Sequence, residues 1–393
     1  GHDGTGGGMS AGEGHEPALP VDAWTAALSG LPGMGPRRLR AMLQRWPAPE
    51  AWAAIEAGAD PVREVLVEID SKTGSAQAET WRQTCRETSV ARVWAAATEG
   101  GGAVAVPGSA GFPAGLAADV EPPAILFTRG SLDVLPGPAV AIVGTRRCTT
   151  YGSTTAWELA RGLAEQGVRV VSGLALGIDA AAHAGALAAD GAPPVGVVAT
   201  GLDVVYPRRN RALWEQVARC GLLLSEAAPG TRPERWRFPS RNRIIAALAQ
   251  VVVVVESPER GGSMYTVTEA LRRDRCVMAV PGPITSPTSA GTNKLLAEGA
   301  APVLGVADIL LAVGLERPVS ADASDPRPPP SAHDQSVLDA CGWEPATVDH
   351  LALRTGLGLS QLLRSVQTLV AAGWIVDDGS GWLRRLVRPE VGP

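Results

Sequence analysis

Residues 141–152, AIVGTRRCTTYG, open a series that continues through VVSGLALGID (170–179), ATGLDVVYPRRN (199–210), FPSRNRIIAA (238–247), SPERGGSMYTVTEA (257–270) and MAVPG (278–282). Across the series, apolar runs meet Gly-rich turns and helix starts. β-Branched runs fall at Ala139–Val143, Arg169–Ser172, Val195–Ala199, Leu222–Ser225, Val251–Glu256 and Cys276–Val280, with helical stretches such as Tyr151–Gln166, Asp179–Ala189 and Met264–Arg273 between them. Continuous apolar strands that alternate with helices predict an α/β, doubly wound, extended Rossmann-like parallel sheet covered on both faces. Its turns should bring backbone N–H groups and arginines to one sheet edge, which is an arrangement that binds polyanions.

Working outward, 109–315 is expected to form this Rossmann-like domain. Residues 17–108 are Ala- and Trp-rich with helical periodicity, and LSGLPGMGPRRLRAML (28–43) places a tight turn at Gly33–Gly35 before a helix from Pro36. That pattern suits either a helix-hairpin-helix holding a phosphate or a plain packing hairpin. The Pro- and Asp-rich stretch 316–331 reads as a linker. Residues 332–390 read as a winged helix with Leu359–Ala372 in the recognition position. Arg364 is its only formal cation, so docking or structure is favoured there over duplex binding. Residues 1–16 read as a disordered start or tag scar.

At 393 residues the chain can bury more than one core. Apolar residues make up 45% and charged residues 19%, and the longest apolar run is too short to span a bilayer, so a membrane role is disfavoured. Five cysteines (Cys85, Cys148, Cys220, Cys276, Cys341) stand singly, which disfavours a metal site and suits a reducing cytoplasm. Net charge is −5, but Tyr206–Ile245 holds nine arginines against three glutamates. Phosphate affinity follows local basic density, so this acidic chain retains a candidate nucleic-acid face.

The candidate residues follow the turns. Gly144, Thr145 and Arg146 form the first, and Gly152 stands eight residues after Gly144, which departs from the dinucleotide spacing and predicts no such cofactor. Gly173 and Gly177 frame the second, where Asp179 and His183 read as a cap and a satisfied histidine, or as an acid/base dyad without a nucleophile. Gly201 precedes Tyr206, Arg208 and Arg209, a cation beside a stacking ring. Phe238, Arg241, Asn242 and Arg243 form a phosphate or base clamp at a helix start, or else a buried network. Gly262, Ser263 and Thr266 suggest a further anion nest, and Gly282, Asn293 and Lys294 close the rim. Arg146, Arg208 and Arg243 are expected around one pocket at the carboxyl edge of the sheet.

In their order from FPAGLAADVEPPAILFTRG (112–130) to GTNKLLAEGA (291–300), these motifs resemble the bacterial DNA-processing protein A family (DprA, also called Smf). The resemblance implies a non-enzymatic single-stranded DNA-binding protein that protects incoming DNA, loads the RecA recombinase in natural transformation, and forms a homodimer through the α/β domain. It also implies DNA contacts at Arg146 and Arg208, and burial of part of the Arg-Asn-Arg unit. The fold also resembles nucleoside-monophosphate phosphoribohydrolases, with Glu269 near a Gly-Gly helix start, so nucleotide hydrolysis or nucleotide sensing is the alternative.

Overall fold

Alternate residues of two strands divide between two cores, and that division organises the molecule. In β3 (Ala139–Val143) and β7 (Val251–Val254), Ala139, Ala141, Val143, Val252 and Val254 join one apolar cluster, while Val140, Ile142, Val251 and Val253 join another on the opposite face. Side chains alternate faces along a strand, so a strand covered on both sides must be apolar throughout. Each of the Val and Ile side chains among them contributes roughly 1.5–3 kcal/mol on burial.

The computed structural model describes residues 19–109, 111–315, 327–341, 345–377 and 381–385. The chain divides into two compact units, residues 1–317 and 318–393. Six helices begin the first: α1 (Val21–Ser29), α2 (Pro36–Arg45), α3 (Ala48–Ala57), α4 (Asp60–Ile69), α5 (Gly74–Glu87) and α6 (Val90–Thr98). The sheet then enters with β1 (Gly102–Ala105), followed by α7 (Ala114–Ala117), β2 (Leu126–Gly130) and β3. The doubly wound part continues through α8 (Thr150–Glu165), β4 (Arg169–Ser172), α9 (Ile178–Leu187), β5 (Val195–Val197), α10 (Arg211–Cys220), β6 (Leu222–Ser225), α11 (Arg237–Leu248) and β7. It closes with α12 (Ser263–Leu271), β8 (Cys276–Ala279), α13 (Ala290–Ala297), β9 (Ala301–Pro302) and α14 (Val306–Val313).

Strand order is β1-β2-β6-β5-β4-β3-β7-β8-β9. From β6 to β9 every neighbour is parallel. Crossovers run one way from β3 towards β4 and the other way after β7, so the topological switch point lies between β3 and β7. The six apolar runs read from the sequence are all strands. Three strands were not anticipated: β9 extends the parallel edge beyond β8, whereas β1 and β2 pair antiparallel with each other and β2 pairs antiparallel with β6, so the sheet begins at Gly102 inside the segment read as helical. The helices also share their core with Ala124, Ile125 and Phe127 from the β2 region.

The hairpin between α1 and α2 is pinned from within. The Pro32 carbonyl accepts from Gln77 Nε2 and Trp81 Nε1, both at 2.7 Å, and Arg38 Nη1 donates to the Gly33 carbonyl at 2.7 Å. The carbonyls of the turn are therefore tied to α5 and α2. A second tie joins the segment before β2 to the turn between α12 and β8: Arg273, 2% exposed at its side chain, donates to both Asp119 oxygens at 2.8 and 2.9 Å and also pairs with Glu269.

The second unit contains α15 (Ala332–Cys341), α16 (Val348–Thr355) and α17 (Leu359–Ala371), with β10 (Ala346–Thr347), β11 (Ile375–Asp377) and β12 (Trp382–Arg385) in the order β10-β12-β11. Three helices and a small antiparallel wing give a winged helix around Leu338, Leu351, Leu362 and Leu369. Residues 1–16, read from the sequence as a disordered start or tag, and most of the stretch 316–331, read as a linker, lie outside the described residues.

Candidate nucleic-acid interface

The carboxyl ends of β3, β4 and β5 open into a cleft lined by Arg146, Gly173, Ala175, Leu176, Val198, Ala199, Thr200, Tyr206, Pro207, Phe238 and Arg241. Five residues singled out in the sequence meet there. The Arg146 guanidinium lies over the Phe238 ring at 5.0 Å, and the Tyr206 and Phe238 rings sit 5.6 Å apart, tilted by 49°. A cation stacked on a ring keeps its N–H fork in the ring plane's vicinity and ready for a phosphate. Tyr206 remains 38% exposed, so its ring is accessible to a base.

Arg241 forms the floor. Its Nη1 donates to the carbonyls of Gly173, at 2.8 Å, and Val197, while Nε donates to Asn242 Oδ1 at 3.1 Å. Burial pushes the guanidinium down to about 10, with buried Asp179 opposing that shift, so it stays cationic at neutral pH. A Cβ at residue 173 would stand 2.5 Å from the guanidinium, so a side chain there would have to displace Arg241. Asp179 accepts from the Gly173 N–H at 3.2 Å, and burial raises its pKa against the pull of Arg241. His183 is fully buried, and burial pushes it down to about 4. It is neutral and closed to solvent, so Asp179 and His183 are parts of the scaffold.

Arg208 and Arg209 stand exposed on a short 3-10 turn, Arg208–Asn210. Asn210, which the sequence reading passed over, anchors that turn to the cleft wall by donating to the Leu174 and Ala175 carbonyls at 2.9 and 3.1 Å. Arg146, Arg147, Arg208, Arg209, Arg232 and Arg235 are all exposed and none is paired with a described carboxylate. Gly201 lies behind them, with its N–H donating to the Thr231 carbonyl at 3.1 Å. A second depression adjoins the cleft through Val198, Ala199 and Arg241, and is walled by Met34, Gly35 and Trp236. Among the described residues, no cluster of three His, Cys, Asp or Glu could hold a metal, and no helix is long and apolar enough to cross a membrane.

A family model described as DNA recombination-mediator protein A matches residues 103–314, more than half of the chain. The chain belongs to that family. A second model, the DprA winged helix domain, matches 321–371. A putative DNA processing protein DprA from Mycobacterium tuberculosis is 41% identical over 278 residues, covering 69% of this chain and 70% of the relative. Protein Smf from Escherichia coli is 35% identical over 280 residues, covering 70% of this chain and 75% of its own. The X-ray structure of DNA processing protein A from Streptococcus pneumoniae superposes with a TM-score of 0.60 at 30% identity, covering 75% of this chain and 98% of that one.

On this DprA scaffold several sequence expectations move. Arg243 is not at the cleft: 4% exposed, it donates to the Glu121 carbonyl at 2.7 Å and pairs with Glu226. A helix turns about 100° per residue, and α11 buries both Arg241 and Arg243 because it is covered on more than one side. Asn242 is likewise buried against Arg241 and the Gly262 carbonyl. At the start of α12, Ser263 donates inward to Ser257 Oγ at 2.8 Å and Thr266 is buried, so neither side chain offers a donor to an outside anion. Gly282 and Asn293 bond to one another at 2.9 and 3.2 Å, and Lys294 is paired at the surface with Glu259 at 2.6 Å. Glu269, the carboxylate a hydrolase would need, is held by Arg272 and Arg273.

The first turn also differs from a nucleotide loop. Thr145 N–H donates to the Glu256 carbonyl at 2.7 Å, and its own carbonyl accepts from Ile178 N–H at 3.3 Å. Gly144 and Gly177 are required by that crossing: a Cβ on Gly144 would stand 2.7 Å from the Glu256 carbonyl, and one on Gly177, at φ +78°, 2.4 Å from the Thr145 carbonyl. Within the turn, Arg146 is the exposed side chain that lines the cleft.

Proposed function

We propose that this chain binds single-stranded DNA along the carboxyl edge of its sheet, without chemistry of its own, and presents it in the cytoplasm to the RecA recombinase during natural transformation. The observation that carries the binding mode is the stack of Arg146 on Phe238 beside the half-open Tyr206 ring, in a field of exposed arginines that form no ion pair with a described carboxylate. Splayed bases suit such a site because their faces are free for stacking, whereas a duplex conceals them. Family membership supports the RecA partnership. A gel shift comparing an oligothymidine with a blunt duplex of equal length is expected to show tighter binding of the single strand. Equal or tighter duplex binding contradicts the reading, and release of free base from AMP would replace it with hydrolysis.

The functional unit in this reading is a homodimer. The sheet ends on the short, exposed strand β9; Leu304, two residues beyond it, and Leu311 on the following helix α14 are 81% and 71% exposed. Large apolar side chains beside an open sheet edge suit a second copy of the chain. Leu311→Arg is expected to convert a dimer to a monomer in light scattering while leaving the circular dichroism spectrum of the folded chain unchanged, and to unfold at a midpoint that no longer depends on protein concentration. A wild-type monomer at micromolar concentration contradicts the proposal.

A further inference from the structure

Glu256 is 2% exposed and takes no place in the cleft, yet it organises the loop that carries Arg146. It follows β7 at the switch point between β3 and β7, where doubly wound sheets receive a ligand phosphate on a helix N-terminus. Its carbonyl accepts from Thr145 N–H at 2.7 Å. Its carboxylate accepts from Thr149 N–H at 2.8 Å and from the Thr149 hydroxyl at 2.6 Å, at the mouth of α8. One residue therefore holds both ends of the loop 145–149. The same Thr149 oxygen accepts from Gly152 N–H at 3.1 Å, which completes the helix cap around the carboxylate.

The glycine spacing records this arrangement. A Cβ on Gly152 would stand 2.3 Å from Glu256 Oε2, and the Gly144 position is closed by the Glu256 carbonyl. The eight-residue interval that breaks the dinucleotide pattern is the interval that admits Glu256. Gly152 lies in α8 without a positive φ, so its side-chain space, and not its backbone, is what the site needs.

We propose that Glu256 is a built-in anion standing where a ligand phosphate would otherwise bind, and that it positions the Arg146 loop for the DNA backbone. The proposal rests on the single-strand reading above. Glu256 touches no DNA in this account and acts only through Arg146.

The test measures oligothymidine binding by fluorescence anisotropy on the full chain. Glu256→Ala removes the carboxylate, and Gly152→Ala displaces it while leaving its charge in place. Each is expected to weaken binding about tenfold, and each combined with Arg146→Ala should weaken it by no more than about twofold beyond Arg146→Ala alone, because coupled residues lose one shared effect. Acetate exchanged for chloride at fixed ionic strength should restore affinity to Glu256→Ala and leave Gly152→Ala unchanged. Multiplying losses in the double variants, or a folded Glu256→Ala that acetate does not rescue, overturns the proposal. If Glu256→Ala does not fold, wild-type affinity in Gly152→Ala overturns it alone. A wild-type chain that binds no oligothymidine defeats the parent reading, whereas Arg146-dependent binding that ignores Glu256 and Gly152 defeats this inference only.

Discussion

Alanine in place of Arg241 is expected to cost the fold about 3–5 kcal/mol, the range seen when one partner of a buried charge pair is removed. The loss has identifiable parts. The carbonyls of Gly173 and Val197 and the Asn242 side chain lose their donor, and Asp179 is left buried without the cation that opposes its desolvation. Lysine is expected to rescue little, since one ammonium cannot reproduce a fork that spans two carbonyls and an amide. Urea unfolding of the first unit checks this, and a change below about 1 kcal/mol would show that the guanidinium is not the floor of the cleft. DNA affinity in this variant should fall only as far as the folded fraction falls.

Arg146 and Phe238 carry the second large effect. Arg146→Ala is expected to weaken oligothymidine binding about tenfold, equivalent to about 1.4 kcal/mol, with little change in unfolding midpoint because the side chain is exposed. Phe238→Ala removes both the platform under Arg146 and the ring beside Tyr206, and should cost about 1–3 kcal/mol of binding, the range for loss of a stacking aromatic. The two losses should not add in full, since part of each is the same stack. Full additivity would mean that Phe238 meets the DNA independently of Arg146.

Much of this architecture is legible in the chain. Runs such as Val251–Val254 declare strands buried on both faces, and the Gly-rich turns that follow them locate the carboxyl edge. The antiparallel pair β1 and β2 escaped notice because Gly102–Ala105 is short and glycine-led, and its pairing with β2 is set by contacts that no local pattern displays. The same limit applies to charge. Arg146 and Arg243 look alike as arginines near a helix start, but Arg243 finds Glu226 and the Glu121 carbonyl, 17 and 122 residues distant, and these decide that it faces inward. Composition records how much positive charge a segment holds, whereas long-range partners decide how much of it reaches solvent. Asn210 and Glu256 escaped for the related reason that a side chain bonding to backbone has no sequence signature; only the unusual Gly144 to Gly152 interval marked the place.

The most direct measurement is the slope of log affinity against log salt for oligothymidine, taken on wild type, Arg146→Ala and Arg243→Ala between about 50 and 200 mM salt. If Arg146 holds a phosphate at the cleft, its loss flattens the slope by about 0.7, while Arg243→Ala keeps the wild-type slope and loses thermal stability instead. A folded Arg146→Ala variant with the wild-type slope and affinity would contradict the account.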